Sequence, residues 1–321
     1  MEYSKFFNIN GGAFFFIHPN SEKIIEDFPG NQYMIVKKNK FQKLLNNQYH
    51  LDNFFSKNCN IDLFYSYGIP IKKNYARVNW LHVSSILPFM QNRFPLTISE
   101  TIKIEILRKT FKDNIKNADI VSAESEASLK HIKAKKIFLS ENGSDDEIRL
   151  FQDIHKNALA RKDTAIILGT YKYKALDDAY KIFQLLRLDN HNLKLIVIGD
   201  ESSVPKEISN DKNVLLTGLL SRDKVIQHLI SSKYYLSATL AENSYNAASE
   251  GIFLSDTSYI SDIPPHRELL KNCIFEEFVL PDSGRIFYKV KAVDLTTNNI
   301  KTWNQVILEL ISFLKENFKS N

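Results

Sequence analysis

The sequence predicts an α/β protein built from two doubly wound parallel-sheet domains, and three observations point there. A chain of 321 residues exceeds the usual size of one hydrophobic core, so two domains of about 150 residues follow from length. In the second half, short apolar runs alternate with segments whose apolar residues recur at helical spacing, the pattern of a parallel sheet covered on both faces. The first half repeats this grammar less cleanly.

The opening "SKFFNINGGAFFFIHP" places Asn-Gly between aromatic-rich runs, which is a hairpin signal, while Gly11 and Gly12 after a strand would also make a loop that lets a phosphate approach the backbone; the hairpin is preferred. Four apolar runs then read as strands: "NIDLFYSYG" (60–68), "ARVNWLHV" (76–83), "ADIVSAES" (118–125) and "KKIFLSEN" (135–142). Between the second and third, residues 98–117 read as a long basic helix. A polar, charged stretch from about 145 to 163 marks the boundary, giving domains 1–155 and 156–321.

The second domain opens with "TAIILG" (164–169) as a buried strand, a helix over 175–188 and "LKLIVIGD" (193–200) as the next strand. It continues with a strand over 213–220, a helix capped by Ser221, the strand "KYYLSATL" (233–240), a turn and helix over 242–253 and the strand "TSYISD" (257–262). The last helix starts with a Thr-x-x-Gln capping box at Thr302 and carries an apolar stripe that includes Trp303, Leu310 and Leu314, so one face should pack against a domain.

Composition excludes little but bounds the partners. The net charge of +5 is spread among interspersed acidic and basic residues, so nucleic-acid binding is not demanded, and an anionic substrate or membrane surface fits as well. Cys59 and Cys273 match no metal or disulfide spacing, as expected of core residues in a reducing cytosol. No apolar run approaches the roughly 18 residues of a membrane span, and the N-terminus lacks the pattern of a signal peptide, so a cytoplasmic placement is expected.

Open parallel sheets bind ligands beyond the carboxyl ends of their strands, and that rule selects the candidate residues. Gly169 and the lysines of "GTYKYK", Lys172 and Lys174, follow the first strand of the second domain, where cations and free N–H groups could hold a diphosphate; a solvated lysine pair is the plain alternative. Glu242 follows the strand "KYYLSATL", and Glu250 lies on the next helix with seven residues between them. A carboxylate accepts from vicinal hydroxyls, so the two could grip two sugars, or be ordinary surface residues. His82 ends the strand "ARVNWLHV", placed to meet a sugar hydroxyl or to act as a structural hydrogen-bonder. His266 and Arg267 of "DIPPHREL" read as residues that fix a loop. Walker A, Gly-x-Gly-x-x-Gly, His-Glu-x-x-His and Gly-x-Ser-x-Gly sequences are absent, and the adjacent pairs Asp145-Asp146 and Asp177-Asp178 make a poor divalent site, so no essential metal is expected.

Taken in order, "IILGTYKYKAL", "NVLLTGLL", "KYYLSATLAENSYNAASEG" and "YISDIPPHREL" resemble the donor-domain motifs of the retaining glycosyltransferases of family 4, over about residues 164–270. "VNWLHVSSILPF", "NADIVSAESEASLKHI" and "FLSENGSD" add weaker matches in the first domain. The resemblance implies the GT-B fold, with two Rossmann-like domains facing a cleft, acceptor bound by the first and nucleotide sugar by the second. It implies that Glu250 binds the nucleotide ribose, Glu242 the transferred sugar, and Lys174 or Lys172 the diphosphate. Leu220 would pack near the base, His82 would lie beside the sugar, and the backbone of Asn243, Ser244, Tyr245 and Asn246 would face the phosphates. Gly12 would belong to the glycine loop.

A UDP-sugar is the expected donor, with a GDP-sugar next, and no further cofactor. The acceptor would be a glycan or lipid-linked glycan of a surface polysaccharide such as lipopolysaccharide or capsule. The basic helix admits peripheral contact with an anionic membrane as well as a solvated face. Three departures stand out. Thr170 replaces a frequent Arg, so diphosphate binding rests on the lysines; Asn-Ser-Tyr replaces Gly-Phe-Gly after Glu242; and the first domain is short. A sugar-nucleotide epimerase or hydrolase of the same fold, or a non-catalytic partner subunit, are the rival readings.

Overall fold

The computed structural model describes residues 2–37, 48–58, 60–90, 96–143, 148, 162–292 and 300–318. In the first unit β3 (Leu63–Tyr67), β4 (Val78–His82), β5 (Ile120–Ala123) and β6 (Ile137–Leu139) form a parallel sheet in that order. Alternation along the strands divides their side chains between two cores. Phe64, Leu81 and Val121 pack with Leu51 of α3 (Tyr49–Lys57) and Phe111 of α4 (Ile98–Asn114). Val78, Trp80 and Ile120 pack on the opposite face.

That second face is covered from the far end of the chain. Leu310, Ile311, Phe313 and Leu314 of α11 (Trp303–Asn317) lie over Trp80 and Ile120, joined by Tyr3 of α1 (Glu2–Ile9). The capping box expected at Thr302 is present: the Gln305 N–H donates to the Thr302 hydroxyl at 3.2 Å, and the Thr302 N–H to the Gln305 side chain at 2.8 Å. Sequence order put this helix with residues 156–321, whereas its packing is against the first sheet.

The expected hairpin at the N-terminus is not formed. Residues before the glycines make α1, Gly11 and Gly12 adopt left-handed φ of +95° and +77°, and the Gly12 N–H closes the helix on the Phe7 carbonyl at 2.8 Å. This is a helix stop, which uses the same glycine freedom that a tight hairpin would. β1 (Phe14–Ile17) follows and pairs in parallel with β2 (Gln32–Ile35), across α2 (Lys23–Asp27). Aromatic residues are enriched in strands, but that preference yields to context, and here Tyr3 packs in the core beside α11 and Ser4 is buried.

The second unit holds a seven-stranded sheet ordered β12-β13-β11-β10-β7-β8-β9. β7 (Lys162–Leu168), β8 (Lys194–Ile198), β9 (Val214–Leu216), β10 (Ser232–Ser237) and β11 (Thr257–Ser261) are parallel, as the buried runs predict. β13 (Ile286–Lys291) and β12 (Phe275–Val279) add an antiparallel edge. α6 (Leu176–Asp189) and α7 (Lys206–Ser209) cover one face through Phe183 and Ile208; α8 (Arg222–Ser231) and α9 (Asn246–Leu254) cover the other through Ile226, Leu229 and Ile252. α10 (Pro264–Leu269) follows β11. Cys273 is half-buried, its thiol donating to the Leu269 carbonyl at 3.7 Å, while Cys59 and most of the expected boundary lie outside the described residues.

Helix α9 lies so close to β10 that a Cβ on Gly251 would come within 2.0 Å of the Tyr235 ring, itself almost fully buried. Replacing Gly251 by Ala gains up to about 1 kcal/mol of helix propensity. Displacing a packed ring costs about 1–3 kcal/mol. Gly251→Ala is therefore expected to lower the thermal midpoint, and an unchanged or raised midpoint in calorimetry would contradict this packing.

Candidate functional site

The chain leaves β7 for β8 and β9 on one side, then returns to β10 on the other side of β7. The carboxyl ends of β7 and β10 are thus the point where strand order reverses, the place where open sheets bind ligands. Each end carries one candidate charge. Gly169, at φ +86°, turns the chain out of β7, and a Cβ there would touch the Lys174 side chain at 3.4 Å. The Lys172–Lys174 turn then delivers Lys174, whose ammonium is ion-paired with Glu242 after β10. The Leu240 N–H donates to the Tyr173 carbonyl at 2.8 Å, tying the two loops together. Burial, with Glu242 close by, pushes the Tyr173 phenol up to about 12.

Glu250, on α9, forms a two-pronged pair with Arg222 at the start of α8, both N–O distances being 2.7 Å. Arg222 was not singled out from the sequence, although it follows Leu220 and Ser221 beyond β9 and the strand-end rule would have reached it. Arg222, Glu250, Asn246 and Ser249 line a cavity of about 130 Å³, with Gly143 and Trp303 on its far wall. Leu220 packs at the edge of the core beneath it. Burial holds the Tyr235 hydroxyl well above its ordinary pKa, with the charges of Glu242 and Glu250 adding to it.

On the first unit, His82 is 3% exposed at the end of β4. The Trp80 indole donates to the Ser122 hydroxyl at 2.7 Å, and that hydroxyl lies 2.9 Å from His82 Nδ1. The His82 Nε2 is 3.4 Å from Glu124, and the ring stacks on Tyr67 at 5.1 Å. Both ring nitrogens are therefore engaged, with Glu124 a partner that sequence reading did not find. The N–H and hydroxyl of Thr97 hold the Glu100 carboxyl on α4 below its ordinary range, with the charge of Lys172 a smaller contributor.

Asn243 crosses between the units. Its side-chain N–H donates to the Val83 carbonyl at 2.7 Å, and its own carbonyl accepts from the Ser128 hydroxyl at 3.1 Å. Its Oδ1 is buried with no partner among the described residues. An unmet buried acceptor of this kind costs about 1–3 kcal/mol. Beside it, the Tyr245 hydroxyl donates to Glu141 at 3.0 Å. Glu268 on α10 accepts the N–H groups of Glu126 and Ala127, at 3.0 and 2.6 Å, at the start of α5 (Glu126–Leu129). Ser244 is half-buried in the same loop. Gly12 is not drawn into this group by its close neighbours, which are Phe7 and Gly30.

His266 and Arg267 fix the loop after β11, as read from sequence. His266 is fully buried with Nδ1 2.8 Å from the Ser261 carbonyl, and Arg267 grips Asp262 at 2.5 and 2.7 Å. Asp178 pairs with Arg285 at 2.5 Å. Among the described residues no cluster of three His, Cys, Asp or Glu side chains could hold a metal ion, and no helix is long and apolar enough to cross a membrane.

No family model matches the sequence, and no curated protein matches it. Solved structures do. HepE from Anabaena, in complex with UDP and glucose, aligns over 98% of this chain and 94% of its own, with a TM-score of 0.64 at 12% identity. The fold is GT-B. Sucrose-phosphate synthase from Thermosynechococcus elongatus shares it over 91% of this chain and 85% of its own, with a TM-score of 0.57 at 11% identity. The UDP-forming trehalose-phosphate synthase of Burkholderia xenovorans covers 76% of this chain and 68% of its own, at a TM-score of 0.50 and 9% identity. In GT-B terms Lys174, Glu242, Glu250 and Arg222 belong to the second Rossmann-like domain, and His82 and Glu124 to the first.

Burial, with Lys174 nearby, lowers the His266 pKa to about 4. The unfolded chain takes up this proton near pH 6.5. Stability from this group is therefore present above pH 6.5 and lost as pH falls from 6.5 towards 4. Between pH 7 and 5 the loss amounts to about 2 kcal/mol. Denaturant unfolding at the two pH values is expected to show it, and His266→Asn should flatten the difference; an equal slope in the variant would exclude His266 as its source.

Proposed function

We propose that the protein is a retaining glycosyltransferase of the family 4 type, moving a sugar from a nucleotide diphosphate, a UDP-sugar first and a GDP-sugar next, to a hydroxyl of a glycan or lipid-linked glycan. The observation that carries the reading is the meeting of Lys174 and Glu242 at the switch point of a GT-B donor domain, with Glu250 on the helix that follows. HepE, alike in fold, was solved with UDP and glucose, which supports the donor class.

In this reading the resting ion pairs keep room for substrate. A carboxylate has about four acceptor sites and Arg222 occupies two on Glu250, which leaves capacity for the two vicinal hydroxyls of a ribose. Lys174 has three N–H donors, of which Glu242 takes one. The diphosphate would lie against the other two and against the N–H groups of the Asn243–Asn246 loop, so negative charge growing on the leaving phosphate meets fixed positive partners. Glu242 would hold the hydroxyls of the transferred sugar, and Leu220 and the small cavity would receive the base end. The departing phosphate oxygen takes the proton of the acceptor hydroxyl on the same face of the sugar, so the anomeric configuration is kept and neither a protein nucleophile nor a metal is called upon. His82 would flank the sugar from the first domain.

Helix α4 exposes Ile98, Ile102, Lys109 and Lys112 on one face, with Lys116 in the turn that follows, a face suited to an anionic bilayer and to an acceptor presented at the cytoplasmic side of a membrane. Co-sedimentation with phosphatidylglycerol vesicles that disappears at high salt is expected; no sedimentation at low salt removes the membrane from the proposal.

Glu242→Gln and Lys174→Ala are each expected to lower UDP release from UDP-sugars by on the order of 10²–10³, with circular dichroism unchanged. UDP without added metal should raise the melting temperature of the parent protein, and Glu250→Ala should abolish that rise. Near-normal turnover in the first two variants would remove them from the mechanism. UDP release without a glycosylated product would favour the epimerase or hydrolase, and no stabilisation by any nucleotide would favour the partner subunit.

A further inference from the structure

Asn243 and Val83 stand next to the two candidate groups on either side of the cleft. Asn243 directly follows Glu242, and Val83 directly follows His82. The bond between them is 2.7 Å long and joins residues 160 positions apart. Its direction is fixed, because a carbonyl can only accept, so the amide must present its N–H2 to Val83 and turn Oδ1 away. Val83 is itself held, its N–H donating to the Ser122 carbonyl at 2.8 Å. A second bond runs the opposite way, from the Ser128 hydroxyl to the Asn243 carbonyl, and Ser128 is braced by Ser125 at 2.9 Å. Around this pair, Glu268 takes the Glu126 and Ala127 N–H groups, and Lys271 lies 3.4 Å from Glu126.

The bonds of Asn243, Ser128, Glu268 and Lys271 each join a loop or helix of the second domain to a strand end or helix start of the first. The Asn243 amide leaves its oxygen unmet to make the cross-domain bond, and separation of the domains would let water reach that oxygen. We infer that Asn243 is a positioning residue: it latches the donor domain to the first domain and sets the register between Glu242 and His82 in the closed cleft. The inference rests on the reading of Glu242 and His82 as substrate-facing groups, and a displacement of about 1 Å between such groups costs on the order of 10²-fold in rate.

The test is Asn243→Asp, which keeps the shape of the side chain and turns the donor into a second acceptor facing the Val83 carbonyl. Three quantities are measured on the full chain: hydrogen exchange of the Glu126 and Ala127 amides, which report the closed interface; the Kd for UDP; and turnover as UDP release from UDP-glucose. Exchange at the two amides should quicken by about tenfold or more. The Kd for UDP is measured on Ser128→Ala, which removes the second cross-domain bond and leaves every residue and charge of the donor domain unchanged, and it should stay within about threefold. Turnover should fall by about 10- to 100-fold.

Unchanged exchange would overturn the latch, whatever the protein catalyses. Quicker exchange with unchanged turnover would overturn the positioning role. Loss of UDP binding in Ser128→Ala would also overturn it, by making the cross-domain bond a requirement of nucleotide binding rather than of positioning. If the parent protein binds no UDP, the functional reading fails, while the exchange result still decides the latch. Should Asn243→Asp not fold, Ser128→Ala removes the second cross-domain bond from the other side, and the same outcomes apply.

Discussion

A parallel sheet has to be covered on both faces, and the first domain cannot do this with its own residues. Its four strands have one face closed by α3 and α4, while Val78, Trp80 and Ile120 on the other depend on α11, from the end of the chain. The rest of the arrangement follows from this. The chain must complete the second domain before the first is finished, and the carboxyl ends of both sheets are held within reach of one another. Helix α11 is thus part of the first core in all but sequence order.

Within that frame the candidate charges are placed by topology rather than by local sequence. Lys174 and Glu242 are 68 residues apart and meet because β7 and β10 are neighbours. Glu250 meets Arg222 because α8 and α9 share one face of the sheet. Both carboxylates rest against cations, which keeps two acidic groups beside the buried Tyr235 without leaving either uncompensated. Side-chain pairs of this kind hold a site in shape while hydrogen-bonding capacity remains for hydroxyls and phosphate oxygens.

Much of this could be read from the chain. The strands were legible because fully buried runs such as "AIIL" and "LIVI" have few other fates, and the start of α11 because Thr302 and Gln305 satisfy each other's backbone. The positions of Gly169, Lys174 and Glu242 were legible because they follow strand ends, and that of Glu250 because it lies on the helix after one. What was not legible lies in long-range packing. Nothing near Phe6 or Phe7 announces that Gly11 and Gly12 stop a helix rather than turn a hairpin, since left-handed glycine serves both. The partner of Glu250 required knowing which helices are neighbours, and the bond from Asn243 to Val83 spans half the molecule in sequence.

The return of the chain to the first domain has a mechanical meaning. Gly143, at the outgoing crossing, lies so close to the incoming one that a Cβ there would sit 2.4 Å from the Trp303 nitrogen. The contact leaves no room for a side chain at position 143, so only glycine fits where the first domain meets the start of α11. Because α11 covers Trp80 and Ile120, a side chain at 143 would press on the helix that closes the first sheet, and one missing Cβ thereby guards the seating of the whole outer face.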